Sequence, residues 1–292
     1  MALANDIVFL PLGGVGEIGM NLGLYGVGPE DDRTWLIVDC GVSFAGHDLP
    51  GIDLILPDIK FLEDEVDNIA GMVITHAHED HYGAIIHLWP FLKVPLYTTA
   101  FTAGLLEAKY ESEPGAEKIP VNVVQQGERK KIGPFDVEFV AMAHSIPEPC
   151  ALAIRTPAGM VLHTGDWKID LSPGVGRPID LDRLAELGRE GVMALVCDST
   201  NAVRDGVSPS EADVFDNIGF AFDIEEGGLL ACKRGVGEIL CGGTGSSGDG
   251  IGHGPHLYFG ADVGNCVGLS VGPGVGEVVG TTGVGAGVRG CR

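Results

Sequence analysis

The stretch VITHAHEDHYG, residues 73–83, puts His76, His78, Asp80 and His81 within six positions at the end of an apolar run. An ordinary core cannot absorb four such groups, because a polar atom taken from water needs a hydrogen bond or a ligand in return. Three imidazoles and a carboxylate so close together make a poor core and a good metal site. Neutral imidazole nitrogens suit zinc, and the carboxylate can hold a second ion or a water. Neighbouring residues of a turn point in different directions, so one turn can feed two ions. Further ligands must come from elsewhere in the chain. AMAHSIPEP offers His144 at the end of one strand-like run, and VLHTGDWKID offers Asp166 in the turn after another.

Strand-like runs recur around this cluster: IVFLPL, WLIVDCG, GMVITHAH, PLYTT, FDVEFVAMAHS, CALAIRT, GMVLHTGD and VMALVCDST. Helix-like stretches such as AFTAGLLEAKYES and DLDRLAELGREG lie between them, and the alternation marks an α/β chain. SPSEADV reads as a helix start, since Ser208 and Glu211 have the spacing of a capping box. After Phe215 the character changes. Half of the chain's 46 glycines fall in residues 216–292, in segments with neither a helical nor a strand period of useful length. Glycine at that density is costly to order. Residues 1–215 are therefore expected to form the folded domain, and residues 216–292 a poorly ordered tail with at most weak strands. The break also fits a shifted reading frame, which sequencing the coding DNA around codon 215 would test.

A formal charge of −23 argues against a broad basic surface for nucleic acid or anionic membrane, while leaving a local basic or metal-filled groove open. Seven cysteines without a C-x-x-C pair suggest reduced thiols. The first residues lack the basic region of a secretory signal, and no run approaches the roughly 18 apolar residues of a membrane helix. The expectation is a soluble cytoplasmic chain with no membrane partner.

PLGGVGEIGMN, residues 11–21, raises a rival possibility. Gly14, Gly16 and Gly19 fit G-x-G-x-x-G after an apolar run, and Asp39 follows at the distance a dinucleotide ribose would need. A dinucleotide loop must, however, open a helix whose N-terminus faces the pyrophosphate. Here MNLGLYGVGPEDDRTW follows, which reads as strand, turn and strand. No dinucleotide is expected, and the glycines are expected to let the backbone turn tightly and pass close to something else.

The order Asp39, His76-x-His78-x-Asp80-His81, His144, Asp166 resembles the metallo-β-lactamase superfamily. More narrowly, PLGGVGEIGMN, GVSFAGHDLPGIDLILPD, ITHAHEDHYGAI, AHSIPE, HTGDWKID and CDSTNA resemble the ribonuclease J family of metallo-β-lactamase/β-CASP enzymes, over about residues 5–214. The resemblance implies an αββα sandwich and two zinc ions. His76, His78 and His144 would hold one ion, Asp80 and His81 the other, and Asp166 would bridge them. Asp39 would fix the metal loop from behind, and Asp198 in CDST matches the first acidic motif of the β-CASP members. It also implies hydrolysis of RNA phosphodiesters, with Asp80 and His81 as the catalytic candidates and RNA as partner. A full member of the family continues past SPSEADV into a β-CASP domain and then returns to finish the sheet. No such motifs follow here. The sandwich is therefore expected to be incomplete on its C-terminal side, and the second zinc one ligand short.

Two other readings stay open. One is a hydrolase of small esters or thioesters on the same fold. The other is a non-catalytic zinc-binding fragment that associates with itself or with a full-length homologue. The remaining candidates have plainer readings: His163 as a packed strand residue, His87 on a helix, and His47 in an exposed loop. His253 and His256 match no motif of the family. Cys40, Cys150 and Cys197 read as small buried apolar groups, and GERKK as a solvated turn.

Overall fold

A computed structural model describes residues 6–46 and 49–215, and beyond them the backbone of five short strands between residues 222 and 281. The chain divides into two compact units, Met1–Ala212 and Asp213–Arg292. In the second, Phe222–Glu225 pairs with Gly228–Cys232, and His256–Ala261, Asn265–Ser270 and Val279–Thr281 form a three-stranded antiparallel sheet. The expected poor order of this segment rests mostly on residues outside those described, as do His47 and His253.

The strands of the first unit are β1 (Ile7–Gly13), β2 (Leu22–Val27), β3 (Thr34–Val38), β4 (Ser43–Phe44), β5 (Leu54–Ile55), β6 (Ile69–Val73) and β7 (Leu96–Thr99). They continue as β8 (Val121–Val124), β9 (Arg129–Ile132), β10 (Phe135–Ala141), β11 (Cys150–Thr156), β12 (Gly159–His163) and β13 (Ala194–Val196). Its helices are α1 (Lys60–Asp64), α2 (Glu79–Tyr82), α3 (Ile85–Leu92), α4 (Ala100–Ser112) and α5 (Leu181–Glu190). One sheet has the order β1-β2-β3-β6-β7-β8 and the other β13-β12-β11-β10-β9. Among the described residues no helix is long and apolar enough to cross a membrane.

Alternation along the strands builds four layers, because successive side chains of a strand face opposite ways. On β2, Leu22 and Leu24 join a cluster that includes Ile85, Trp89 and Leu106 of the helices, while Tyr25 and Val27 face the other way. On β3, Trp35 and Ile37 join the helical side, and Leu36 and Val38 the inner side. The inner cluster also takes Phe135, Val137 and Phe139 of β10 with Leu152 and Ile154 of β11, so it lies between the sheets. Burying each such side chain stabilises the fold by roughly 1.5–3 kcal/mol. The opposite faces of β10 and β11 send Val140, Ala151 and Ala153 towards Leu184 and Leu187 of α5. The αββα expectation is met.

Helix α5 is also held by charge. Asp180 caps it through the Arg183 N–H at 2.9 Å. Arg183 clamps the buried Glu138 carboxylate through Nε at 2.6 Å and Nη2 at 2.9 Å, and Arg155 approaches the same carboxylate at 2.9 Å. The Arg183 bond, against the opposing effect of burial and with help from Arg155, holds the Glu138 carboxyl below the usual range. Glu138→Ala should lower stability by roughly 2–4 kcal/mol in urea melts, since Arg155 and Arg183 lose their buried partner and keep only the more exposed Glu186 and Glu190. A depressed folded-state pKa stabilises above the ordinary carboxylate value, and that stability is lost as pH falls through the folded one. Between about pH 5 and pH 3 the wild type should therefore lose more stability than Glu138→Gln. Parallel acid melts of the two proteins would refute this.

Three local expectations are corrected. Cys40 and Cys150 are buried, but Cys197 is exposed, because it follows β13, the outermost strand of its sheet. GERKK is not only a turn: Arg129–Ile132 forms β9, paired antiparallel with β10, and Arg129 and Lys130 are matched by Asp136 and Glu128. The helix expected to be capped by Ser208 begins at Glu211, whose N–H donates to the buried Asp170 carboxylate at 2.9 Å.

Candidate metal centre

Strand direction gathers the site. β3 and β6 run parallel, as do β12 and β13, and β10 runs antiparallel to β11, which is antiparallel to β12. The carboxyl ends of β3, β6, β10, β12 and β13 therefore release Asp39, the histidine turn, His144, Asp166 and Asp198. A β-bridge between Ala143 and Lys168 ties the His144 loop to the Asp166 loop.

The expected residues meet in two groups. His76, His78, His144 and Asp166 offer ligand atoms that lie within 4.8 Å of one another, and so do Asp80, His81 and Asp166. His78 Nδ1 lies 3.1 Å from His76 Nε2 and 3.0 Å from His144 Nε2. Asp166 belongs to both groups, with Oδ1 3.2 Å from His81 Nε2 and Oδ2 3.5 Å from His144 Nε2. Asp80 Oδ2 lies 3.6 Å from His81 Nε2.

Asp39 stands behind them, fully buried with φ of 64°. Its carboxylate accepts the Thr75 N–H at 2.8 Å and the Thr75 hydroxyl at 2.9 and 3.0 Å, and lies 2.7 Å from His81 Nδ1. The carboxylate can only accept, so the Thr75 hydroxyl proton is spent on it. Thr75 Oγ1 then accepts from His76 Nδ1 at 3.0 Å. Both contacts turn a ring Nε2 of a histidine towards the shared Asp166, as outer partners of metal-binding histidines do. Asp198 lies outside both groups: its carboxylate accepts the Thr200 N–H at 2.9 Å, and its own N–H donates to Thr164.

Electrostatics favour lone pairs over protons on the first group. Burial, reinforced by the neighbouring imidazoles, pushes His76 well below its ordinary pKa. Burial likewise takes His78 down to about 4 and lowers His144. All three are neutral near pH 7, the state a cation needs. Burial also raises Asp80, against the pull of His81. Burial would lower His81, but Asp39 and Asp166 outweigh it and hold the ring well above its ordinary value. Converging neutral imidazoles beside carboxylates are the donor set a divalent cation would satisfy, and the residues fit one.

The centre opens into a cavity of about 390 Å³ walled by Gly14, Glu17, Asp80, His81, Asp166 and Asp198, among others. The glycine run is split between two tasks. Asn21 lies under the metal turn, its N–H donating to the Asp80 carbonyl at 2.9 Å and its side-chain amide reaching His81 Nε2 at 3.1 Å. Val15 to Ile18 instead form an exposed rim of the cavity. Sequence reasoning missed Asn21 and Thr75 as site residues. Their position beside the glycines and before His76 was the available signal. His163 packs as expected, with Nδ1 2.8 Å from the Tyr25 hydroxyl, and also lines the cavity.

A β-lactamase superfamily domain model matches residues 34–185, just over half of the chain, so the chain belongs to the metallo-β-lactamase superfamily. Within it, the chain is similar to ribonuclease J of Sinorhizobium meliloti, 56% identical over 241 residues, which is 82% of this chain and 43% of that one. That alignment is longer than residues 1–215. Ribonuclease J of Corynebacterium glutamicum is 45% identical over 214 residues, covering 73% of this chain and 29% of its own length. The chain thus spans less than half the length of these relatives. A crystal structure of a protein of unknown function from Enterococcus faecalis shares the fold, with a TM-score of 0.54 and 21% identity over 73% of this chain and 56% of that one.

Proposed function

We propose that this chain carries the metal-hydrolase part of a ribonuclease J-like enzyme that cleaves RNA phosphodiesters with two zinc ions, in the cytoplasm. One observation carries the reading: two ligand groups that share Asp166. His76, His78 and His144 would hold one ion, Asp80 and His81 the other, with Asp166 available to both. Bound there, the ions supply Lewis-acid stabilisation of phosphate charge and a water of near-neutral pKa. The chain's own residues do the rest. Asp39 orients the His81 ring from behind. Asp80 is the carboxylate beside this centre that would take the proton given up by the attacking water. The chain is acidic and no Lys or Arg lines the cavity among the described residues, so few cationic contacts neutralise phosphates and RNA binding should weaken only shallowly with salt.

Metal analysis together with cleavage of a labelled, 5′-monophosphorylated single-stranded RNA tests the proposal. The expected result is on the order of two zinc ions per chain and cleavage that disappears in His76→Ala. A fully metallated, active His76→Ala protein would overturn it.

A second reading has its own support. Among the described residues the group at Asp80 and His81 has three protein ligands, one of them shared, and the chain spans less than half the length of its relatives. A non-catalytic zinc-binding fragment, associating with itself or with a full-length homologue, would bind about one zinc and leave RNA intact. Turnover of a small thioester without RNA cleavage would instead favour a small-substrate hydrolase.

A further inference from the structure

Helix α4 is braced to both halves of the centre without giving a ligand to either. Its N-terminus lacks a cap of its own, since Thr99 makes no side-chain cap bond. The Phe101 N–H donates instead to the Glu148 carboxylate at 2.9 Å. Glu148 lies on the loop that carries His144, and its φ of 56° is a left-handed conformation that costs a glutamate energy. Two turns along the helix, Lys109 donates to the Glu79 carboxylate at 2.6 Å, and its ammonium sits 4.3 Å from the centre of the Tyr82 ring. Glu79 and Tyr82 are the first and last residues of α2, the helix that carries Asp80 and His81. Leu106, fully buried between these anchors, fixes the helix on the first sheet. The backbone from Phe101 to Lys109 rises roughly 12 Å and cannot shorten without breaking helical hydrogen bonds.

We infer that α4 is a strut that sets the spacing of the two cation-holding loops, and that Glu148 and Lys109 are positioning residues for different ions. Glu148 acts on the three-histidine group through the His144 loop. Lys109 acts on the group of Asp80 and His81 through α2. The inference rests on the metal-centre reading proposed above.

The test titrates the full chain with Co²⁺ alone and follows the visible absorption of the bound ion. Glu148→Ala should weaken uptake by the imidazole-rich group about tenfold or more, leaving the other step within about twofold. Lys109→Met should do the reverse. Glu148→Gln, which keeps an acceptor for the Phe101 N–H, should restore the first step. Variants that take up both ions like the wild type overturn the strut. So do variants that lose both steps together, in proportion to helix lost by circular dichroism. If the wild type takes up a single cobalt, the Glu148 variants alone decide. A wild type that takes up none overturns the metal-centre reading itself, before any variant is compared.

Discussion

Asp166→Ala is expected to weaken both ligand groups at once, whereas His76→Ala should weaken one. The difference follows from geometry. Asp166 presents one oxygen to His81 and the other to His144, so its carboxylate is common to both groups, while His76 belongs to the first only. Two cations held close together also repel, and a carboxylate between them offsets that repulsion in a half-buried site where screening is weak. Its loss leaves three imidazoles in the first group and only Asp80 and His81 in the second. Affinity should therefore fall by more than the roughly 10–100-fold typical of outer partners at the second group, and by less at the first, where three imidazoles still suffice for zinc. His76→Ala should retain about one, held by Asp80, His81 and Asp166. Hydrolysis should be undetectable in both. Zinc titration separates them: an Asp166→Ala protein in which either uptake step is as tight as in the wild type would show that Asp166 is not shared.

Much of this centre was legible because its signals are local. The histidine turn is contiguous, and Asp39, His144 and Asp166 each end an apolar run, but it was their order along the chain, matched to a family, that placed them near one another. The long strands were legible for a related reason: β2, β3, β10 and β11 are buried along most of their length and read as largely apolar runs bounded by turn residues. Elements without that contrast stayed hidden. β8 and β9 are mostly exposed or charged edge strands, and β4 and β5 are two residues each, too short to show a period. Contacts between distant parts of the chain were equally illegible. Neither Lys109 against α2, nor Glu148 capping α4, nor Asp170 receiving the Glu211 N–H leaves a spacing that a reader of sequence can use. Cys197 was misjudged because its apolar neighbours suggest burial, and only sheet order shows that β13 is an edge.

Gly41→Ala is expected to damage the centre more than any other glycine substitution along this part of the chain. A Cβ at residue 41 would lie 1.6 Å from the Asp80 carbonyl oxygen, 2.0 Å from its carbon and 2.7 Å from the His81 nitrogen. These are backbone atoms, so no rotamer change can relieve the clash. The surrounding bonds leave no slack either. Cys40 N–H donates to the His81 carbonyl at 2.7 Å, Gly41 N–H to Asn21 at 2.9 Å, and Val42 N–H to Glu79 at 3.0 Å. The chain after β3 and the turn bearing Asp80 and His81 are thus laced together residue by residue, and a methyl group must part them. Overpacking a fixed site costs typically 1–3 kcal/mol, and here the shift also pulls Asp39 from His81, so about 3 kcal/mol or more is expected. Gly16→Ala gives the contrast. Nothing lies within 4 Å of its Cβ, and only its φ of 78° is unfavourable, so its cost should stay near 1–2 kcal/mol with metal uptake unchanged. Urea melts and zinc content of the two variants decide the matter: a Gly41→Ala protein as stable and as fully metallated as Gly16→Ala would mean that the Asp80 turn does not rest on this strand end.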